Sequence, residues 1–145
     1  MAFFPHPSHF FDSLGITADD LVAGKQVQVD GAVLRELIQM ALSATKIDED
    51  GYRRYDDIDK AVEAGAIENV SEHYFLSGYF EGRFAVSADF DSQWYMNTYP
   101  DVHYAITNGE IESAKQHYLE TGWYEWRAPS AGTVDYVKKW DRLLK

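Results

Sequence analysis

His73 and His117 stand 44 positions apart, and each is followed by a tyrosine. Histidine is the commonest metal ligand and the side chain that changes charge near neutral pH, so a matched pair could hold an ion between them. A metal site, however, needs three or four converging ligands. His103 accompanies only one of the two rings, no Glu-x-x-His or His-x-x-x-His spacing occurs, and the chain has no cysteine. Beside a tyrosine on an apolar helix face, an imidazole can donate with one nitrogen and accept with the other. His73 and His117 are therefore expected to be structural, mostly buried and hydrogen-bonded, with no metal and no cofactor.

A second pattern is Glu81-x-Arg83 and Glu125-x-Arg127. Paired this way they could clamp an anion. The alternative is that each guanidinium reaches a carboxylate at a nearby helix N-terminus, Asp57 for Arg83 and Asp101 for Arg127, because bidentate Arg–carboxylate pairs hold turns in place. Aromatic residues crowd the same segments. Tyr79, Phe80, Trp123, Tyr124 and Trp126 could stack on sugar rings or pack one segment on the next. Trp126 stands where the first segment has Gly82, so no shared packing role explains it, and it is the best single candidate for a contact surface. The acidic run from Asp48 to Asp59 lacks the glycine and closing glutamate of a calcium loop and reads as a solvated helix start. No nucleophile–base pair or Gly-rich phosphate loop appears, so no catalytic residue is expected.

These residues recur because the chain says one thing twice. Residues 55–83 align without a gap on residues 99–127, with 11 of 29 positions identical. Such a period indicates one supersecondary unit packed on its copy. In each copy Ile58/Ala61/Val62 and Val102/Ala105/Ile106 mark a short helix. Val70/His73/Tyr74/Ser77 and Ala114/His117/Tyr118/Thr121 mark a second. Gly65, Gly109, Gly78 and Gly122 are expected to end these helices, with positive φ at most of them.

The flanks read as helical too. Thr17 and Asp20 form a capping box for a short helix ended by Gly24, and Asp30 caps a helix over 31–44. Its stripe of Val33, Leu34, Leu37, Ile38, Ala41 and Leu42 predicts a core helix. The KQVQV segment, 25–29, alternates like an edge strand, a dimer contact or coil. Thr133 caps a last helix with Val134, Val137, Trp140 and Leu144 facing inward. The expectation is an all-α fold of six or seven helices. A 1–30 N-terminal arm precedes a 31–145 helical domain, which holds repeats at about 48–86 and 92–130 between capping helices.

The net charge of −11 argues against a nucleic-acid backbone or an anionic membrane surface as partner, since both reward basic patches. No run of apolar residues approaches a membrane span, and no signal-peptide pattern opens the chain, so a cytoplasmic protein is expected. With 22 aromatics and a Phe-rich start, residues 1–30 are expected to contribute to a homodimer.

The string from Trp94 to Pro129, with its aromatic pair, Pro100-Asp101-Val102, His117-Tyr118 and Gly122-x-x-Glu125-x-Arg127, resembles a repeat found in bacterial proteins. That repeat occurs beside glycosyltransferase domains, in other proteins of cell-surface polysaccharide synthesis and in some secreted proteins. This chain departs from it at Asp56, where proline is usual, and at Trp126. The resemblance implies a setting and no reaction: a non-catalytic accessory, regulatory or scaffolding subunit working through a protein partner. A carbohydrate-binding module using the repeat aromatics is the alternative, and a small metalloprotein or enzyme built on His73 and His117 a third.

Overall fold

The computed structural model describes residues 3–145, and among these the chain is all-α with no strand. Nine α-helical segments occur among the described residues, three of them only four residues long. The chain divides after Ala44 into two compact units, so the helix expected to open the main domain falls with the N-terminal segment.

In the N-terminal unit, α1 (Pro7–Leu14) starts at a proline whose missing N–H costs nothing there, and it stops at Gly15 with φ 66°. The Thr17/Asp20 capping box closes a single 3₁₀ turn, Ala18–Asp20, and residues 25–29 are coil. Asp30 caps α2 (Gly31–Ser43), accepting from the Ala32 N–H at 2.8 Å. The reading of α2 as a core helix is corrected: none of its residues is buried, and Leu34 is 52% exposed. A unit of this size has too little chain to enclose a stripe that wide. Phe3, Phe4 and Phe10 line only a shallow apolar groove with Val33, Leu37 and Met40.

In the C-terminal unit, Asp48 caps α3 (Glu49–Tyr52) and Asp91 caps α6 (Ser92–Thr98), each accepting from a first-turn N–H at 3.0 Å. Next come α4 (Asp56–Glu63) and α7 (Pro100–Thr107), which end before Gly65 and Gly109 at φ 75° and 74°. Then α5 (Val70–His73) and α8 (Ala114–His117) run straight into π-helical turns, Tyr74–Gly78 and Tyr118–Gly122. Residues 66–77 and 110–121 share one conformation position by position.

The expectation that Gly78 and Gly122 stop these helices at positive φ is corrected. Gly78 has φ −59° and ψ −43°, and Gly122 is likewise absent from the positive-φ residues. They are glycines for space: a Cβ on Gly78 would overlap the Tyr52 hydroxyl, and one on Gly122 the Tyr95 hydroxyl. The chain turns four residues later, at Gly82 (φ 80°) and Trp126 (φ 57°), where Arg83 N–H and Arg127 N–H return to the Gly78 and Gly122 carbonyls.

Each segment closes on its own start. Asp48 N–H donates to Val86 C=O at 2.8 Å, and Asp91 N–H to Pro129 C=O at 3.0 Å. Val86 also enters the core beside Tyr95, Val102, Ala114 and Tyr118, so the end of the first segment fills the interior of the second. The Lys115–Asp48 ion pair, 2.7 Å, adds a polar tie between them. The last helix, α9 (Val134–Leu144), half-buries Val134 and Val137. Trp140 and Leu144, expected inward, are 54% and 67% exposed: only the side of α9 bearing the two valines is covered.

Candidate interaction surface

Tyr52 and Tyr95, both fully buried, build the floor of each segment. Their hydroxyls pair with His73 Nδ1 at 3.1 Å and His117 Nδ1 at 2.9 Å. The rings of Tyr55, Tyr74, Tyr99 and Tyr118 stand against them at tilted or edge-on angles. Burial pushes the Tyr52 hydroxyl up to about 12 and the Tyr95 hydroxyl higher still, so neither ionises near neutral pH. Burial, helped by the Arg127 charge, lowers the His117 pKa and favours the neutral ring. His73 and His117 are half-buried, more open than expected, and each is taken by the tyrosine of its own segment. No group of three His, Asp or Glu side chains among the described residues could hold a metal ion.

Arg83 grips Asp57 through both terminal nitrogens, at 2.9 and 2.5 Å, and reaches Glu81 through Nε at 3.0 Å. Arg127 does the same to Asp101, at 2.8 and 2.7 Å, and to Glu125 at 2.7 Å. Each guanidinium lies over a tyrosine ring, Tyr55 or Tyr99, whose hydroxyl accepts from the backbone N–H of the residue after the arginine. The guanidinium hydrogen bonds hold Asp57 and Asp101 below the usual carboxylate range. With three carboxylate bonds apiece, both arginines are spent on folding the tail back to the first turn of α4 or α7.

The aromatic candidates separate. Trp123 stacks 5.6 Å from Phe84 of the first segment and donates its indole N–H to Leu119 C=O at 2.9 Å. Tyr79 sits edge-on to Tyr74 and Phe80, and Phe80 is half-buried. Tyr124 is 75% exposed, its ring edge-on to Trp123. Trp126 is 37% exposed and is the single non-glycine with positive φ among the described residues. A left-handed backbone costs an L-residue about 1–2 kcal/mol, which the glycine at the equivalent turn avoids. Tyr124 and Trp126 are thus the two exposed aromatics that flank Glu125 in the sequence, next to the Arg127–Asp101 pair.

Tyr52 and Tyr95 escaped the repeat alignment. They are 43 residues apart, whereas Tyr55 and Tyr99 are 44 apart, because the second segment carries one more residue before its second tyrosine. Asp-x-x-x-Tyr at Asp48–Tyr52 and Asp91–Tyr95 was the available signal. No protein-family model, curated protein or solved structure matches this chain.

Proposed function

We propose that this protein is a non-catalytic helical module, with the 55–83 and 99–127 segments as tandem repeats. It acts as an accessory, regulatory or scaffolding subunit of bacterial surface-polysaccharide biosynthesis in the cytoplasm, through contact with a protein partner. One observation carries the contact: an indole held at an unfavourable backbone conformation, where its sister position uses glycine, and still 37% exposed. Backbone strain of this kind clusters at functional sites. Tryptophan and tyrosine are also the residues that anchor interfaces. The setting rests on the resemblance of the Trp94–Pro129 string.

The test compares proteins captured from the native cell by the wild type and by Trp126→Gly. Loss of a polysaccharide-synthesis enzyme from the variant supports the proposal; equal capture, or turnover of a substrate by the purified chain, refutes it. The carbohydrate-binding reading draws on the same exposed residues, Tyr124 and Trp126, and calorimetry with the cell's own exopolysaccharide separates the two. The proposal includes a homodimer to which residues 1–30 contribute, supported by the exposed Phe3, Phe4, Leu21 and Val22. Light scattering on the full chain and on one beginning at Val29 tests it.

A further inference from the structure

α9 leaves an apolar stripe uncovered. Tyr136, Trp140, Leu143 and Leu144 are 64%, 54%, 61% and 67% exposed, and their i, i+4, i+7, i+8 spacing puts them on one side of the helix. The charges around them are unlike the rest of the chain. Residues 134–145 hold four of the 13 cations and two of the 24 acids, so this segment carries +2 while the remainder carries −13. Lys145 is paired with Asp141. Lys138, Lys139 and Arg142 enter no ion pair among the described residues.

We propose that α9 is a docking element for anionic lipid surfaces, lying in the plane of the headgroups with Trp140 and the leucines immersed. Charge complementarity selects this occupant. Lys139 borders the exposed Tyr/Trp/Leu stripe, and Lys138 and Arg142 lie on the polar arc of the same helix. That division matches a helix resting on a phosphate-rich interface, where aromatic rings settle at headgroup depth and lysine stems reach outward. The acidic remainder does not forbid this, because charges beyond a Debye length of about 8 Å are screened at physiological salt. The helix is only 11 residues long, so it rests on a bilayer and does not cross it. The inference stands on α9 alone and is independent of the function proposed above.

The test is co-sedimentation of the full chain with vesicles of seven parts phosphatidylcholine to three parts phosphatidylserine, against pure phosphatidylcholine. The expected result is binding to the anionic vesicles at millimolar lipid, weakened by high salt and nearly absent on the neutral ones. Neutralising Lys138, Lys139 and Arg142 together with glutamine should weaken binding on the order of a hundredfold, from about 1 kcal/mol per cation at the surface. Trp140→Glu with Leu143→Glu should abolish it. These positions are exposed, so circular dichroism should show both variants folded. Failure to bind anionic vesicles, equal binding to neutral ones, or binding unchanged by either variant overturns the proposal. So does an α9-dependent dimer in light scattering that leaves no vesicle-bound fraction.

Discussion

Replacing Gly122 by alanine adds one methyl group at a backbone that any residue can adopt. Judged by helix propensity alone, the change should stabilise the protein by about 0.8 kcal/mol. The surroundings reverse the sign. The new Cβ would overlap the Tyr95 hydroxyl and lie 3.3 Å from Tyr95 Cζ and 3.2 Å from Tyr118 Cδ2. Tyr95 is fully buried and Tyr118 nearly so; neither ring can swing away. Overpacking a closed site costs about 1–3 kcal/mol. Displacing the hydroxyl also strains its 2.9 Å bond to His117, worth about 1 kcal/mol. The net expectation for Gly122→Ala is a loss of roughly 1–3 kcal/mol. In thermal denaturation followed by circular dichroism this is a fall in Tm on the order of 5–15 °C. Gly132→Ala, where a Cβ meets nothing within 4 Å, is the control. A double-mutant cycle with Tyr95→Phe isolates the cause: without the hydroxyl the alanine should be tolerated, giving a favourable coupling of at least about 1 kcal/mol. A Gly122→Ala protein as stable as the wild type, or strictly additive costs in the double mutant, would refute the account of both conserved-spacing glycines, Gly78 included.

Three further outcomes are expected. Trp126→Gly should leave Tm unchanged or raise it by a few degrees, since relief of about 1–2 kcal/mol of left-handed strain offsets the lost indole contacts; a drop above 5 °C would show the indole to be structural. His73→Ala and His117→Ala should each cost on the order of 1–3 kcal/mol in urea denaturation, for a lost hydrogen bond plus packing, and wild-type midpoints in both would contradict the Tyr–His pairing. The His117 pKa is lowered by folding, so its contribution is present above the unfolded value of about 6.5 and is lost as pH falls through the folded one. Tm should accordingly drop between pH 7.5 and 5.5 by more in the wild type than in His117→Gln, with a second decline below about pH 4 as Asp57 and Asp101 lose their guanidinium-bound charge.

The sequence made the ties legible where both partners lie inside the gap-free alignment. Arg83 to Asp57 and Arg127 to Asp101 span the same 26 residues, so one reading served both. The floor of each segment was hidden by a single residue: the additional position before Tyr99 moves Tyr95 out of register with Tyr52, and no ungapped comparison joins them. Gly78 and Gly122 were visible as special but ambiguous in kind, because a helix stop and a close approach by a neighbouring side chain both exclude a Cβ. Only the position of the tyrosine hydroxyl separates the two. Hydrophobic periodicity erred in a consistent direction. It found the stripes on α2 and α9 correctly, yet a stripe states that a face is apolar and not what lies against it. Where it faces a large unit, as with Val102 and Ala114, the stripe is core. On α2 it belongs to a unit too small to enclose it, and on α9 only the edge of the stripe bearing Val134 and Val137 is covered, while Trp140 and Leu144 stay exposed. The same letters then describe exposed residues, as Leu34 on α2 and Leu143 on α9 do at 52% and 61% exposure.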